Sequence, residues 1–496
     1  MSWPTYEVGI DWENNGFGRA FPYTFPIIFG APAGNDDVTA DCMSFTYNRG
    51  RDAEMQRAVG GSCEMRLRNA DGKYSPTNSG SALFGNLLPG RPVQIRATFA
   101  AGSVEAQFLF RGKIERIIPH PHHTEQYAYI QCLDGFDFLN RAEANTALFT
   151  AAKTGQLVTE ILDDVGWSST LRAIDTGQDT VPLAQWHQVS ALSGLQEIEA
   201  SEIGFIYVNE SGELAFEDRH HRLKSPHTAS LASFDNTMSE IRYELSSRNI
   251  FNEVRATVTE VTLGATAVLW TLQDTPSIAA GASKTIWSAF TNFATNLITP
   301  AATTDYTANS AADGSGTNLT SSISIVYSAL AQASKYVITN SAAVPAFLTL
   351  LQQRGDMYTA GDQSTAKADD ATSQTNYSLR RRSLNGKYLN DIDQAQDYCN
   401  FILTRYKEPQ AEPTMTLNNR SDAVLTQILT RQVSDRITVD NNLLGLDGDF
   451  YINRMQHSIN PRQQLHTVTY TLAAVEEEEF WTLDISELGT STKLAY

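Results

Sequence analysis

The sequence predicts a mainly β protein with α+β segments: two similar β-barrels separated by a small α+β domain and a β-sandwich insertion. Three observations predict it. Short runs of alternating apolar and polar residues, broken by Gly, Pro and Asn, fill both ends of the chain. Helical spacing is confined to a few stretches between them. A three-strand pattern near residue 93 returns near residue 437. A chain of 496 residues also has room for roughly three to four domains.

Residues 1–150 supply the first barrel. YEVGIDW alternates before a turn at ENNG, and SCEMRLRN before a turn at ADG. RPVQIRATF, QFLFRGKIERII and EQYAYIQCLDGF follow. Residues 151–240 read as the α+β domain. In TGQLVTEILDDVGW, Leu157, Val158, Ile161, Leu162 and Val165 fall at helical spacing, and Gly166 suits a helix end. SALSGLQEIEASEIG repeats that spacing and runs into FIYVNESGELAFEDR, a hairpin with Asn-Glu-Ser-Gly at its turn.

Residues 258–360 shift towards Ala, Thr, Ser and Asn and read as the β-sandwich insertion. Its strands are TAVLWTL, SISIVYSAL, SKYVITN and FLTLLQQRGD, and AATTDYTANSAADGSGTNLTSS reads as a loop. Residues 361–408 are a linker and an amphipathic helix. Ile392, Ala395, Tyr398, Cys399, Ile402 and Leu403 share one face of it, and Pro409 stops it. Residues 241–257 and 409–496 make the second barrel, through MTLNN, DRITVD, FYINRMQHSI and HTVTYTLA.

The repeat sets PGRPVQIRA, FLFRGKIERIIP and TEQYAYIQCLDGFDFL beside VSDRITVDN, FYINRMQHSINP and LHTVTYTLAAVEEEEF. Val93 and Ile95 match Ile437 and Val439. The next strands match from Phe110 and Phe450 and end at Pro119 and Pro461. The expected barrel core is Val93, Ile95, Ile114, Ile437, Val439 and Ile452. Three copies of such a chain would bring six barrels to one ring, a pseudo-sixfold arrangement.

Composition narrows the function. The formal net charge is −19, and only 19% of residues are charged. A binder of nucleic acid needs a basic footprint, which this chain lacks. Cys42, Cys63, Cys132 and Cys399 form no C-x-x-C pair and are expected as reduced, buried thiols. MSWPTYEVGIDWENNG carries no signal-peptide pattern, and no apolar run reaches the length of a membrane span. Synthesis in a cytoplasm is expected.

Candidate sites are few. Asn69, Asp71, Ser75 and Asn78 can ring a cation, but a calcium loop needs a terminal Glu, and the twelfth residue from Asn69 is Gly80. Turn punctuation, with Gly72 free to take φ > 0, is the better reading. His120, His122 and His123, with Glu115 upstream, read as a hairpin tip. Asp218, His220 and His221 close a hairpin strand, where adjacent histidines face opposite ways. Arg380, Arg381 and Arg382 read as a solvated lead-in to the helix or an ion pair between subunits. Glu476–Glu479 read as a solvated edge guard. Trp270 and Trp287 are candidate sugar contacts, weighed against a role in the sandwich core. No metal site or cofactor is called for, and G-x-S-x-G, P-loop, H-E-x-x-H and helix-opening G-x-G-x-x-G motifs are missing. The expectation is a protein that is not an enzyme.

NADGKYSPTN followed by LLPGRPVQI resembles the N-terminal barrel of the tail hub proteins of tailed phages. These baseplate hub or minor tail proteins are related to the late control protein D and type VI spike hub families. EVGIDWENNGFG, SALSGLQEIEASEIGFIYVNESGELAFEDRHHR, YLNDIDQAQDYCNFILTRYKEP and SDRITV…FYINRMQHSI extend the resemblance over most of the chain outside 258–360. It implies a homotrimeric ring of two barrels per subunit at the distal end of the virion's tail. Its partners would be the tail tube or distal tail protein ring, a tip or fibre protein and the C-terminus of a tape-measure protein. DNA would pass the lumen without specific binding, and no turnover chemistry is implied. The second reading is a tail protein that binds host-surface carbohydrate through the 258–360 insertion.

Overall fold

A computed structural model of the chain describes residues 2–14, 36–121, 123–235, 238–384, 386–475, 479–480 and 492–493. Among the described residues six strands come first: β1 Thr5–Ile10, β2 Cys42–Gly50, β3 Ser62–Arg68, β4 Pro92–Phe99, β5 Val104–Pro121 and β6 Gln126–Leu133. Successive side chains on a strand take opposite faces. In β3, Cys63, Met65 and Leu67 are therefore buried while Glu64 and Arg68 are exposed. Helices α1 Gly135–Arg141, α2 Thr154–Asp164 and α3 Ala191–Glu202 follow, then the hairpin β7 Phe205–Val208 and β8 Leu214–Glu217. Strands β9 Ser233–Phe234 and β10 Glu240–Leu245 lead to β11 Glu253–Leu263.

The insertion contributes β12 Ser283–Ala289, β13 Ile323–Ala329, β14 Ala333–Asn340 and the 24-residue β15 Ala346–Asp369. Then come α4 Ala371–Tyr377, β16 Arg381–Leu384, α5 Ile392–Tyr406, β17 Ala411–Asn418, α6 Asp422–Thr430, β18 Arg436–Asn441, β19 Leu446–Asn460 and β20 Leu465–Ala474. The chain is mainly β. Among the described residues no helix is long and apolar enough to cross a membrane.

Among the described residues, strands from both halves of the chain meet in one sheet of twelve. Its order is β1-β4-β5-β6-β3-β2-β19-β20-β17-β10, with β18 on β19 and β9 on β18. Two separate barrels are the sequence expectation. The described strands instead follow one open path, because the free edge of β2 is taken by β19, from Phe45↔Ile459 to Gly50↔Arg454. Gly50 makes this seam possible. Its φ is +103°, and a Cβ there would lie 2.1 Å from the carbonyl oxygen of Asn453.

The two halves repeat in register. β4-β5-β6 and β18-β19-β20 are both antiparallel meanders. Val93 pairs with Gly112 and Ile437 with Phe450. A bulge follows Ile114 against β6, and another follows Ile452 against β20. The equivalence therefore sets Gly112 against Phe450, and Phe110 against Gly448. The Phe110–Phe450 match read from sequence is two residues out, since the halves carry Phe and Gly in opposite order. Pro119 and Pro461 are not equivalent either, as β19 runs on to Asn460.

Each half has its own apolar filling. Tyr6, Phe45, Met65, Ile95 and Ile130 belong to one cluster; Met415, Ile437, Ile452, Val468 and Tyr470 belong to the other, which continues into α2, α3 and the β7–β8 hairpin. Helix α6 serves both: Leu425 and Leu429 enter the first core, and Val424 and Ile428 the second. Ser421 caps it, its hydroxyl accepting the Val424 N–H at 3.2 Å, a contact worth about 1 kcal/mol. The sequence reading placed only strands there.

β11 and β15 form the base of the insertion, paired from Glu253↔Asp369 to Leu263↔Tyr358. Val254, Ala256 and Val258 of β11 and Ala366 and Ala368 of β15 bury α5 through Ala395, Tyr398, Cys399 and Ile402. A second cluster, with Ile278, Tyr306, Tyr336, Ile338 and Leu351, fills the insertion itself. The strand pair thus runs through the expected boundaries at 258 and 361, and what read as a linker from 361 is strand as far as Asp369. The expected loop likewise contains a short strand, Tyr306–Asn309.

Candidate functional site

The 69–91 loop stands where α6 stands in the other half, between a strand and the next meander. Asn69 N–H donates to Gln126 O at 3.0 Å, and Asn419 N–H to His466 O at 3.1 Å, so the two asparagines are equivalent. Asn69 Oδ1 accepts the Tyr74 N–H at 2.8 Å, and its Nδ2 donates to Ser75 Oγ at 3.0 Å. Asp71 accepts the Lys73 N–H at 3.1 Å, and Asn78 the Gly80 N–H at 3.1 Å. The oxygens that can ring a cation are spent on turn amides. Lys73 Nζ and the Tyr74 hydroxyl both donate to Asp41, at 2.9 and 2.6 Å, and pin the loop to the start of β2.

The histidine motifs separate. His120 stacks on Tyr127, centroids 4.9 Å apart, while His122 lies outside the described residues. His220 and His221 are not on the hairpin strand, which ends at Glu217; His221 opens a 3₁₀ turn, its Nδ1 2.9 Å from Asp175 Oδ2. Among the described residues no three His, Cys, Asp or Glu gather to hold a metal ion. Cys42, Cys63, Cys132 and Cys399 are free thiols and buried. Arg381 pairs with Glu253 within the chain, Arg380 donates to Tyr377 O, and Arg382 lies over Phe251. Glu476–Glu478 lie outside the described residues, and Glu479 opens a two-residue strand.

Val93, Ile95, Ile114, Ile437, Val439 and Ile452 are all buried, the most exposed at 2%. The tryptophans divide. Trp270 packs against the insertion's core and stacks on Tyr336 at 6.1 Å. Trp287 is 55% exposed, on the β12-β14-β13 face, with Lys335 Nζ 5.6 Å from its ring centre.

A cluster of buried charges lies at a junction that sequence reasoning missed. A cavity of about 320 Å³ opens where the 51–61 connection, α3, the end of β8 and β16 meet, lined by Arg51, Glu54, Glu199, Phe205, Arg222 and Arg382 among others. Burial alone would raise the Glu54 carboxyl, but Arg405, Arg222 and Arg51 hold it at about 2. Arg405 Nη2 is 2.6 Å from it and the Tyr406 hydroxyl donates at 2.7 Å. Burial pushes Glu199 up to about 7 and pulls Arg51 down to about 10. Beside the cavity, Arg219 Nη1 donates to Asp179 at 2.7 Å and to Glu202 at 3.0 Å, and the Tyr398 hydroxyl reaches Asp179 at 2.9 Å. These charges bind α3, the hairpin, α5 and the sheet into one junction. Arg405 and Glu54 are 351 residues apart, so no local pattern announces the pair.

No family model matches the chain, and no curated protein matches it. Solved structures do. The tail protein of Neisseria meningitidis MC58 is similar over 94% of this chain and 96% of its own, with a TM-score of 0.50 and 9% identity. At that identity the likeness is one of fold. The 43 kDa tail protein of prophage MuSo2 from Shewanella oneidensis matches 95% of this chain and 98% of its own, at 10% identity and a TM-score of 0.49. Prophage tail protein gp18 from Listeria monocytogenes EGD-e matches 95% of each chain, at 10% identity and a TM-score of 0.41.

Proposed function

We propose that this chain is a structural hub of a phage tail tip or baseplate, and not an enzyme. Three copies close a ring to which each contributes two equivalent sheet halves. The ring caps the tail tube, receives the end of a tape-measure protein, and hands over to a tip or fibre protein. The observation that carries this reading is the repeated register around Ile114 and Ile452, which gives one chain two like units and a trimer six. The net charge of −19 suits a lumen that DNA crosses without sticking.

The test is Ile437→Asp in an intact phage, with electron microscopy of the particles. A charge at this fully buried position should abolish tail assembly. Infectious particles with normal tails would overturn the reading. The mass of the purified native protein checks the trimer separately.

The exposed Trp287 favours a second reading, in which its ring on the β12-β14-β13 face stacks on a sugar ring of the host surface. Trp287→Ala would then lose adsorption while particles assemble normally. Unchanged adsorption would end that reading.

A further inference from the structure

The junction cavity holds an arginine, Arg51, that makes no salt bridge among the described residues, although Glu54, Glu199 and Glu217 act on it at longer range. Arg51 is 8% exposed, and its Nε has no hydrogen-bond partner among the described residues. Its guanidinium sits 4.0 Å from the centre of the Phe205 ring. The neighbouring arginines are engaged: Arg222 with Glu54 at 3.3 Å, and Arg219 with Asp179 at 2.7 Å. Arg382, on the other wall, also has an Nε without a partner. Its Nη2 donates only a long bond, 3.3 Å, to Met55 O. Both arginines line one cavity, and Ile203 and Leu384 add apolar wall.

We propose that this cavity binds a singly charged carboxylate on a short apolar stem, with Arg51 as its principal partner and Arg382 as its second. The planar guanidinium matches a carboxylate through two parallel hydrogen bonds, and burial strengthens them. Glu54 and Glu199 line the same space, so a doubly charged phosphate meets more repulsion than a monoanion. At about 320 Å³ the cavity admits a glutamate side chain or a short aliphatic acid, at the small end of ligand pockets. The acid comes either from a partner protein's acidic segment or from a free small molecule.

Calorimetry on the full chain at neutral pH, with butyrate, N-acetylglutamate amide and inorganic phosphate as probes, tests this. One or both acids should bind saturably, and Arg51→Met should weaken binding by about tenfold or more. Arg382→Gln should weaken it less. Tighter binding of the blocked glutamate assigns the site to a partner segment, and tighter butyrate to a free acid. Without acid, a cooperative melt of Arg51→Met establishes that the variant is folded before its binding is compared. If that variant fails to fold, Arg382→Gln carries the test. Failure of both acids to bind, undiminished binding by the variant used, or phosphate binding as tightly would overturn the proposal.

Discussion

Ile114 and Ile452 hold the same position in the two halves of one sheet. The carbonyl of Ile114 accepts the Gly90 N–H at 2.7 Å, and that of Ile452 accepts the Ser434 N–H at 2.8 Å. The Ile114 N–H donates to Arg91 O at 2.9 Å, and the Ile452 N–H to Asp435 O at 3.0 Å. Each isoleucine is buried just before a bulge, where one extra residue interrupts the ladder.

Ile114→Ala and Ile452→Ala should each cost about 2–5 kcal/mol, the range for emptying a packed apolar site. Urea unfolding measures it. A loss well under 1 kcal/mol at either position would show that its half is not packed around that side chain.

The seam gives a sharper contrast. Gly50→Ala places a methyl 2.1 Å from Asn453 O and at a φ of +103°, so it should cost about 3 kcal/mol or more. Gly85→Ala also meets a positive φ, +85°, but nothing lies within 4 Å of its Cβ, so it should cost about 1 kcal/mol. Melting temperatures of the two variants check this, and equal losses would remove the seam from the account.

Much of this architecture is legible in local pattern. The alternation of β3 and the faces of α2 and α5 follow from periods of two and 3.6 residues. The repeat was visible too, but its register was not, because Phe110-Arg-Gly112 and Gly448-Asp-Phe450 place the same two residue types in reverse order. The 361–369 segment read as linker because residues 359–365 of β15 are exposed, so no apolar alternation marks them as strand. Helix α6 was hidden by its shortness, although Ser421 and the pairs Val424/Leu425 and Ile428/Leu429 were there to be read. The junction cavity was illegible for a different reason. Its walls come from residues near 51, 199, 222 and 382, and only tertiary folding makes them neighbours.

Arg219 is expected to be the costliest single cation to lose. It faces Asp179 and Glu202, whose side chains are 7% and 0% exposed. Arg219→Met leaves two buried carboxyls without their counter-charge, a loss of about 3–5 kcal/mol at neutral pH. Glu202, which burial and the nearby Asp179 already raise, can shed part of that penalty by protonation, so part of the loss should return near pH 5. Denaturant titrations at both pH values test it, and a loss that does not depend on pH would contradict the assignment.

His457 and His466 predict a pH dependence of the opposite kind. His457 stacks under Tyr47 at 4.5 Å and meets His466 Nε2 at 2.9 Å, while the Tyr6 hydroxyl lies 2.7 Å from His466 Nδ1. Burial holds His457 well below its ordinary range and His466 at about 3. Both are therefore neutral in the fold. The unfolded chain takes up their protons below about pH 6.5, so the stability they contribute is complete above that pH and drains away as pH falls towards 3. Glu199 and Asp134, each raised to about 7 by burial, work against this in the same window, because the fold keeps their protons to higher pH than the unfolded chain does. The wild-type curve alone is thus a sum of opposed slopes, and the difference from a variant isolates the histidine. His466→Gln should be destabilised at pH 7, where it loses its hydrogen-bonded packing. Its deficit should then shrink by about 2 kcal/mol at pH 5, because only the wild type has to keep His466 neutral there, while His457 is common to both. Parallel stability curves for the two proteins between pH 7 and 5 would show that His466 is protonated in the fold.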